Sequence, residues 1–403
     1  MTKVSAARKR FLSGIQPSGK LHLGNYFGAI KQHIALQSEG TSLYFIADYH
    51  ALTTVQDPKA MREYVRDVAL DYLALGLDPE QAIFFRHSDV PEVTELAWIL
   101  GTVTNMGLLE RAVSYKEKID KGIEASVGLF TYPVLMAADI LIYRSHVVPV
   151  GRDQVQHIEM TADMAGKFNR AYGDIFPIPT YRLDQGAKVP GIDGQKMSKS
   201  YGNTIEIFAE GKPLRKTVMS VVTDSTSVAD PKDPEKCTVF ALYGLFACEE
   251  EKAALAVRYR AGGMGYGEAK QALLEKIDQF FGPAREKRKQ LAADPGYVED
   301  VLRTGARRAR AEAHETMALV REAVGFYPRP LGCNDRSILR SEPSRTDHTT
   351  PSARLQYVAV AANRCRSADY DPRATTARAD CLLLCLGRRR SAGRCRADAA
   401  SFT

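Results

Sequence analysis

The stretch Phe11-Leu-Ser-Gly-Ile-Gln-Pro-Ser-Gly-Lys-Leu-His-Leu-Gly-Asn25 decides how the chain is read. Phe11 to Gln16 is a short apolar run, and Pro17-Ser-Gly19 is a turn. From Leu23 onward, Leu23, Phe27, Ile30 and Ile34 recur at helical spacing, with Gly40 as the stop. A strand that turns straight into a helix leaves free N–H groups at the helix start, and these attract anions. Small residues at such a turn let a ligand approach the backbone closely. His22 and Asn25 add side-chain donors one turn apart. A tight turn with a polar cap reads the same way, so this stretch alone does not decide function.

The neighbouring segments repeat the alternation. Ser42–Ala47 and Ala82–Arg86 are buried-strand patterns, and His146–Val150 is a fourth strand. Between them, Asp57-Pro58 caps and opens a helix lined by Met61, Val65, Tyr72 and Leu73 and closed by Gly76. Further helices are read from Pro91, over Ala125–Tyr143 with a bend near Pro133, and over Asp153–Tyr172. The order β-α-β-α predicts an α/β fold, a Rossmann-like parallel sheet with helices on both faces. Past residue 203 the strand signals fade. Glu268–Phe281, Ala284–Ala293 and Tyr297–Val324 read as helices with charged faces. The expected organisation is a catalytic domain at 1–203, a helical domain at 204–326, and a disordered or aberrant Arg/Cys-rich tail at 327–403.

Composition supports that division. The chain has 403 residues, 45% hydrophobic and 26% charged, which is globular and excludes a fibrous or wholly disordered chain. Its net charge of +7 resides entirely in 327–403, which holds 14 Arg, no Lys and 7 acidic residues. Residues 1–326 carry 41 basic and 41 acidic side chains and are neutral. The alkaline balance is therefore no sign of nucleic-acid binding by the body. Five of the seven Cys (Cys333, Cys365, Cys381, Cys385, Cys395) lie in the tail, so the body has the cysteine usage of a reduced compartment. A zinc reading of the tail cysteines is weak, because their spacing is irregular and the nearest His is His348. No residue is assigned as a metal ligand. No window reaches the roughly 18 apolar residues of a membrane span, and the apolar stretch after the basic N-terminus is too short for a secretory signal. A cytoplasmic protein with no membrane role is expected.

A second cationic motif, Lys196-Met-Ser-Lys-Ser200, lies in the polar loop after Pro190-Gly-Ile-Asp-Gly-Gln195. Two lysines three apart with hydroxyls between and after them suit a polyphosphate, though a solvated charged loop looks the same. A strand–HxGN–helix start near residue 22 and KMSKS near residue 196, bracketing an α/β pattern, resemble the class I aminoacyl-tRNA synthetases. Gly14-Ile-Gln-Pro-Ser-Gly19, Tyr132-Pro-Val-Leu-Met-Ala-Ala-Asp139 and Pro149-Val-Gly-Arg-Asp-Gln154 narrow the resemblance to the bacterial tryptophanyl enzymes. It covers about residues 10–326. Where the wider class has a second His, this chain has Asn25, an amide that donates a hydrogen bond but cannot become a cation.

The resemblance implies ATP-dependent charging of tRNA(Trp) with L-tryptophan by a homodimer, with Mg²⁺ accompanying ATP. It places Gln16, Pro17, Ser18, Gly24 and Asn25 around ATP, with His22 near the phosphates. Gly151, Arg152 and Asp153 would meet the adenosine, and Val189 the adenine. Lys196 and Lys199 would hold the pyrophosphate, within the loop formed with Met197, Ser198 and Ser200. Tyr132, Met136, Asp139, Val148, Val150 and Gln154 would form the amino-acid pocket, with His50 beside the substrate.

One assignment has independent physical support. Asp139 interrupts the apolar run Leu135–Ile142, and a buried carboxylate is costly unless something donates to it. Indole offers one N–H donor and no acceptor, so a reader of tryptophan needs such an acceptor. Pairing of Asp139 with Arg or Lys, or a local cap, is the competing reading. Basic clusters at Arg285–Lys289 and at Arg303, Arg307, Arg308 and Arg310 suit either tRNA phosphates or a solvated helix face laced with Glu. Trp98, the only tryptophan, is expected to pack between helices. A tyrosyl-tRNA synthetase, a small-molecule nucleotidyltransferase and a non-catalytic RNA-binding relative are the rival readings.

Overall fold

A computed structural model describes residues 10–112, 126–151, 154–183 and 189–327. All of them lie in the first of the two units into which the chain divides, residues 1–329. The tail and its cysteines, read above as a disordered or aberrant extension, lie outside the described residues.

Among the described residues five strands form one parallel sheet: β1 (Arg10–Ile15), β2 (Thr41–Ile46), β3 (Ala82–Arg86), β4 (Val147–Val150) and β5 (Thr180–Leu183). Their order is β3-β2-β1-β4-β5. The connections run through α1 (Leu23–Asn25) and α2 (Lys31–Leu36), then α3 (Asp48–Ala51) and α4 (Pro58–Ala74). On the other side of the sheet order come α5 (Glu92–Val103), α6 (Met106–Glu110), α7 (Val127–Ile142) and α8 (Val155–Tyr172). The direction of winding reverses between β1 and β4, where such sheets bind ligands. Among the described residues those two strands pair only at Phe11 and Val147, near their N-terminal ends, whereas β1 and β2 pair over their full length.

Strand periodicity sends alternate residues to opposite faces. Tyr44, Ile46 and Phe84 enter one core, and Leu43, Phe45, Ile83 and Phe85 the other. The chain continues in α9 (Gly211–Met219), α10 (Thr238–Tyr243), α11 (Glu249–Ala261), α12 (Tyr266–Ala293) and α13 (Pro295–Ala323). Helix α13 serves both cores: Val298, Val301 and Leu302 join the first, Ala309, Ala313 and Met317 the second. The change occurs at Gly305, where a Cβ would stand 1.8 Å from the Phe84 carbonyl oxygen. Only glycine lets the helix lie this close to β3, and the sheet's outer strand is covered as a result.

Four expectations need correction. The first helix is not continuous, because a π turn at Tyr26–Ile30 separates α1 from α2. Such turns widen a helix locally, and this one carries Gly28 and Ala29 into the wall of a cavity. The two helices read around Pro283 are one, α12, since packing on both sides carries the chain through the proline. Strand β5 escaped notice because its four residues, Thr180-Tyr-Arg-Leu183, are too few for their alternation to stand out and form no buried apolar run. Trp98 is not a packing residue; it is 75% exposed.

His33 lies in the interior between Tyr72, whose hydroxyl is 3.1 Å from Nδ1, and the stacked ring of Tyr44. Burial lowers its pKa from 6.5 to about 4. The unfolded chain therefore binds a proton at this site throughout that window and the folded chain does not, so stability is full above pH 6.5 and falls as pH drops towards 4. The thermal unfolding midpoint should fall over this range, and His33→Gln should make the fall shallower; an unchanged slope in the variant would contradict the assignment.

Candidate active site

A cavity of about 560 Å³ opens at the C-terminal ends of β1 and β4. Gly14, Ile15 and Gln16 floor it from β1, and Asn25, Gly28 and Gln32 border it from the first helix. Its other walls are His50 and Thr53, then Tyr132, Met136 and Asp139 of α7, and Val148, Val150, Gly151 and Gln154. Gly14 is required here, since a Cβ would stand 2.6 Å from the ring of Phe45.

At its inner end Asp139 is 2% exposed. His50 Nε2 lies 2.8 Å from Oδ2 in an aligned hydrogen bond. His87 Nε2 lies 2.7 Å from Oδ1, a close approach without hydrogen-bond alignment, so Oδ1 has no aligned donor. Burial pushes the Asp139 carboxyl up, but attraction to the two imidazoles outweighs it and holds the group below the usual range. The acid is thus an ionised acceptor held between two imidazoles. It is neither a lone acid among apolar neighbours nor paired with Arg or Lys. His87 was missed in the sequence. The signal was its position directly after β3, matching that of His50 just beyond β2, because ligand groups collect at such strand ends. The three side chains bring ligand atoms within 4.8 Å of one another, and a metal there would have to displace both imidazole contacts. Tyr132 donates or accepts at His157 Nε2, 2.6 Å away.

Beside the cavity, beyond Gln16 and Asn25 in its wall, the two signatures come together. His22 precedes α1 in extended conformation, and its N–H donates to Asn25 Oδ1 at 3.1 Å. Asn25 therefore spends its carbonyl oxygen on the helix start and keeps its NH₂ as a donor. Burial, then the nearby charge of Lys199, lowers the His22 pKa to about 4, so the imidazole is neutral at pH 7. Gly24 meets the His22 ring so closely that a Cβ would stand 2.9 Å from it. Lys199 Nζ reaches the Pro17-Ser-Gly19 turn, donating to the Gly19 carbonyl at 2.9 Å and lying 3.5 Å from Ser18 Oγ. Motifs 180 residues apart in sequence meet here.

Asn203, also missed, holds the second signature in shape. Its Oδ1 accepts from Ser198 N, and its Nδ2 donates to Lys196 O and to Asp193 Oδ1. Gly191 makes room for it, as a Cβ there would stand 2.3 Å from Asn203 Nδ2. Met197 and Val189 are buried beneath the loop, whereas Lys196 and Ser200 are exposed. Lys196, Lys199 and Val189 are not in the cavity wall. Arg152 and Asp153 lie outside the described residues.

The comparisons agree with this geometry. Residues 5–282 match the model of the family described as tRNA synthetases class I (W and Y). The chain is 56% identical to the tryptophan–tRNA ligase of Rhodopirellula baltica over 318 residues, 79% of this chain and 99% of that one. It is 53% identical to that of Fusobacterium nucleatum, over 79% and 98% of the two chains. Among solved structures, the tryptophanyl-tRNA synthetase of Campylobacter jejuni complexed with ADP and tryptophan superposes with a TM-score of 0.76 at 49% identity, covering 79% of this chain and all of that one. The chain belongs to the class I tRNA synthetases of the tryptophan and tyrosine group.

Proposed function

We propose that the cavity activates L-tryptophan with ATP and that the chain is a tryptophan–tRNA ligase. The observation that carries the choice of amino acid is the ionised Asp139 at the inner end of the cavity. An indole N–H satisfies it, whereas phenylalanine would leave it unpaired, a strong basis for rejection. Met136, Val148 and Val150 give the ring apolar contact, and Tyr132, Gln154 and His50 border the rest of the substrate. ATP lies across the first signature, with Gln16, Gly24 and Asn25 along it and Gly151, Arg152 and Asp153 at the adenosine.

The reaction needs no general base, because the attacking carboxylate of tryptophan is already ionised. Two anions must meet at the α-phosphate while pyrophosphate leaves, so the work is positioning and neutralisation. Lys199 is poised at the Ser18–Gly19 turn for the departing phosphates, and Lys196 is free to join it. Neutral His22 donates a hydrogen bond and adds no charge. Mg²⁺ enters with ATP. The His50–His87–Asp139 group, at the amino-acid end and rich in nitrogen, does not suit it. The acyl group then passes to the terminal ribose of tRNA(Trp), bound by the helical part at 204–326, in the cytoplasm where charged tRNA is used. No helix of the described residues is long and apolar enough to cross a membrane.

In ATP–pyrophosphate exchange, tryptophan should exceed tyrosine by at least about 100-fold in kcat/KM. Lys199→Ala should lower kcat about 100-fold while shifting the KM for ATP less than about threefold. Equal exchange with both amino acids would refute the specificity, and an equal loss in kcat and ATP affinity would refute the role of Lys199.

A homodimer accounts for the exposed apolar side chains Trp98, Met106 and Val127 on α5, α6 and α7, which are 75%, 62% and 79% exposed. Light scattering should give twice the chain mass for the native protein and the monomer mass for Trp98→Glu; a native monomer would contradict this.

A further inference from the structure

Two members of the basic run Arg285–Lys289, the buried Arg285 and the half-buried Arg288, face inward, while Glu286, Lys287 and Lys289 are exposed. Arg285 is 4% exposed and donates from Nε to the Ile207 carbonyl at 3.0 Å. One turn on, the Arg288 guanidinium stands 5.1 Å from the centre of the Phe208 ring. Lys289 lies 3.0 Å from Glu210. These three residues share one face of α12. What they grip is the arm leaving the second signature. On its other side the same arm is bonded to the first signature, through Leu23 N to Ile205 O at 3.0 Å and Ile207 N to Leu21 O at 3.1 Å.

Arg288 also reaches a third part of the fold. Its Nε lies 2.5 Å from Asp71 and its second terminal nitrogen 2.8 Å from Asp67, both on α4. Asp71 is 3% exposed and adjoins Tyr72 in the cavity wall. Burial outweighs the pull of Arg288 and raises the Asp71 carboxyl to about 7, and the charge of Asp71 also acts on Lys199. A planar fork can bridge two carboxylates and lie over a ring at once, which an ammonium cannot. Resting on the ligase reading, we propose that Arg288 is a positioning residue that locks α12 and α4 to the arm behind KMSKS, and so sets where Lys199 stands relative to the first signature.

Tryptophan-dependent ATP–pyrophosphate exchange by the full chain tests this. Arg288→Lys retains a charge for Asp71 and loses the bridge and the stack. It should lower kcat about tenfold and leave the KM for tryptophan within about twofold, since Asp139 and its imidazoles are untouched. The double variant Arg288→Met, Asp71→Leu removes the buried carboxyl together with the half-buried guanidinium that faces it, so it should keep a cooperative unfolding transition yet show the same low kcat. A folded variant of either kind with kcat within about twofold of the parent would overturn the proposal, as would a tryptophan KM that moves by the same factor as kcat. Absence of exchange in the parent protein would instead refute the ligase reading.

Discussion

A carboxylate inside a protein must find donors or lose its charge, and this constraint organises the inner half of the site. Asp139 sits on a helix whose neighbouring residues are apolar, yet it stays ionised because His50 and His87 attend it. Neither imidazole comes from the same helix. They project from the chain just beyond β2 and β3, so correct closure of the parallel sheet is a condition for the acid to exist as an acceptor. Specificity, on the proposed reading, is thus a property of the whole sheet.

The outer half depends on a different closure. The two signatures meet where the arm 205–207 runs back along 21–23. Asn203 shapes one end of that arm, and the basic face of α12 grips the other. The helical part is therefore structurally continuous with the chemistry, and α13 is laid directly on β3 at Gly305. Any event felt by α12 has a short physical route to Lys199.

Much of this was legible in the residues. Strands β1 to β4 were visible because buried parallel strands are short apolar runs bounded by turn residues, and α4 because Asp57-Pro58 and Gly76 mark its ends. Gln16, Asn25, His50, Tyr132, Met136, Asp139, Val148, Val150, Gly151 and Gln154 do line one cavity. The misses share a cause. His87 and Asn203 act through partners far from them in sequence or through backbone atoms, and neither kind of contact leaves a periodic trace. The run Arg285–Lys289 suited either tRNA phosphates or a solvated helix face, because charge in a sequence carries no sign of direction, while the fold turns Arg285 and Arg288 onto the arm and onto α4.

The central claim is that Asp139 reads an indole N–H. The most direct measurement compares the dissociation constant of L-tryptophan with that of its benzothienyl analogue, in which sulfur replaces the N–H and the ring shape is kept. The account predicts about 100-fold weaker binding of the analogue by the native protein, and near-equal binding of the two by Asp139→Leu. Native affinities within about threefold of each other would contradict it.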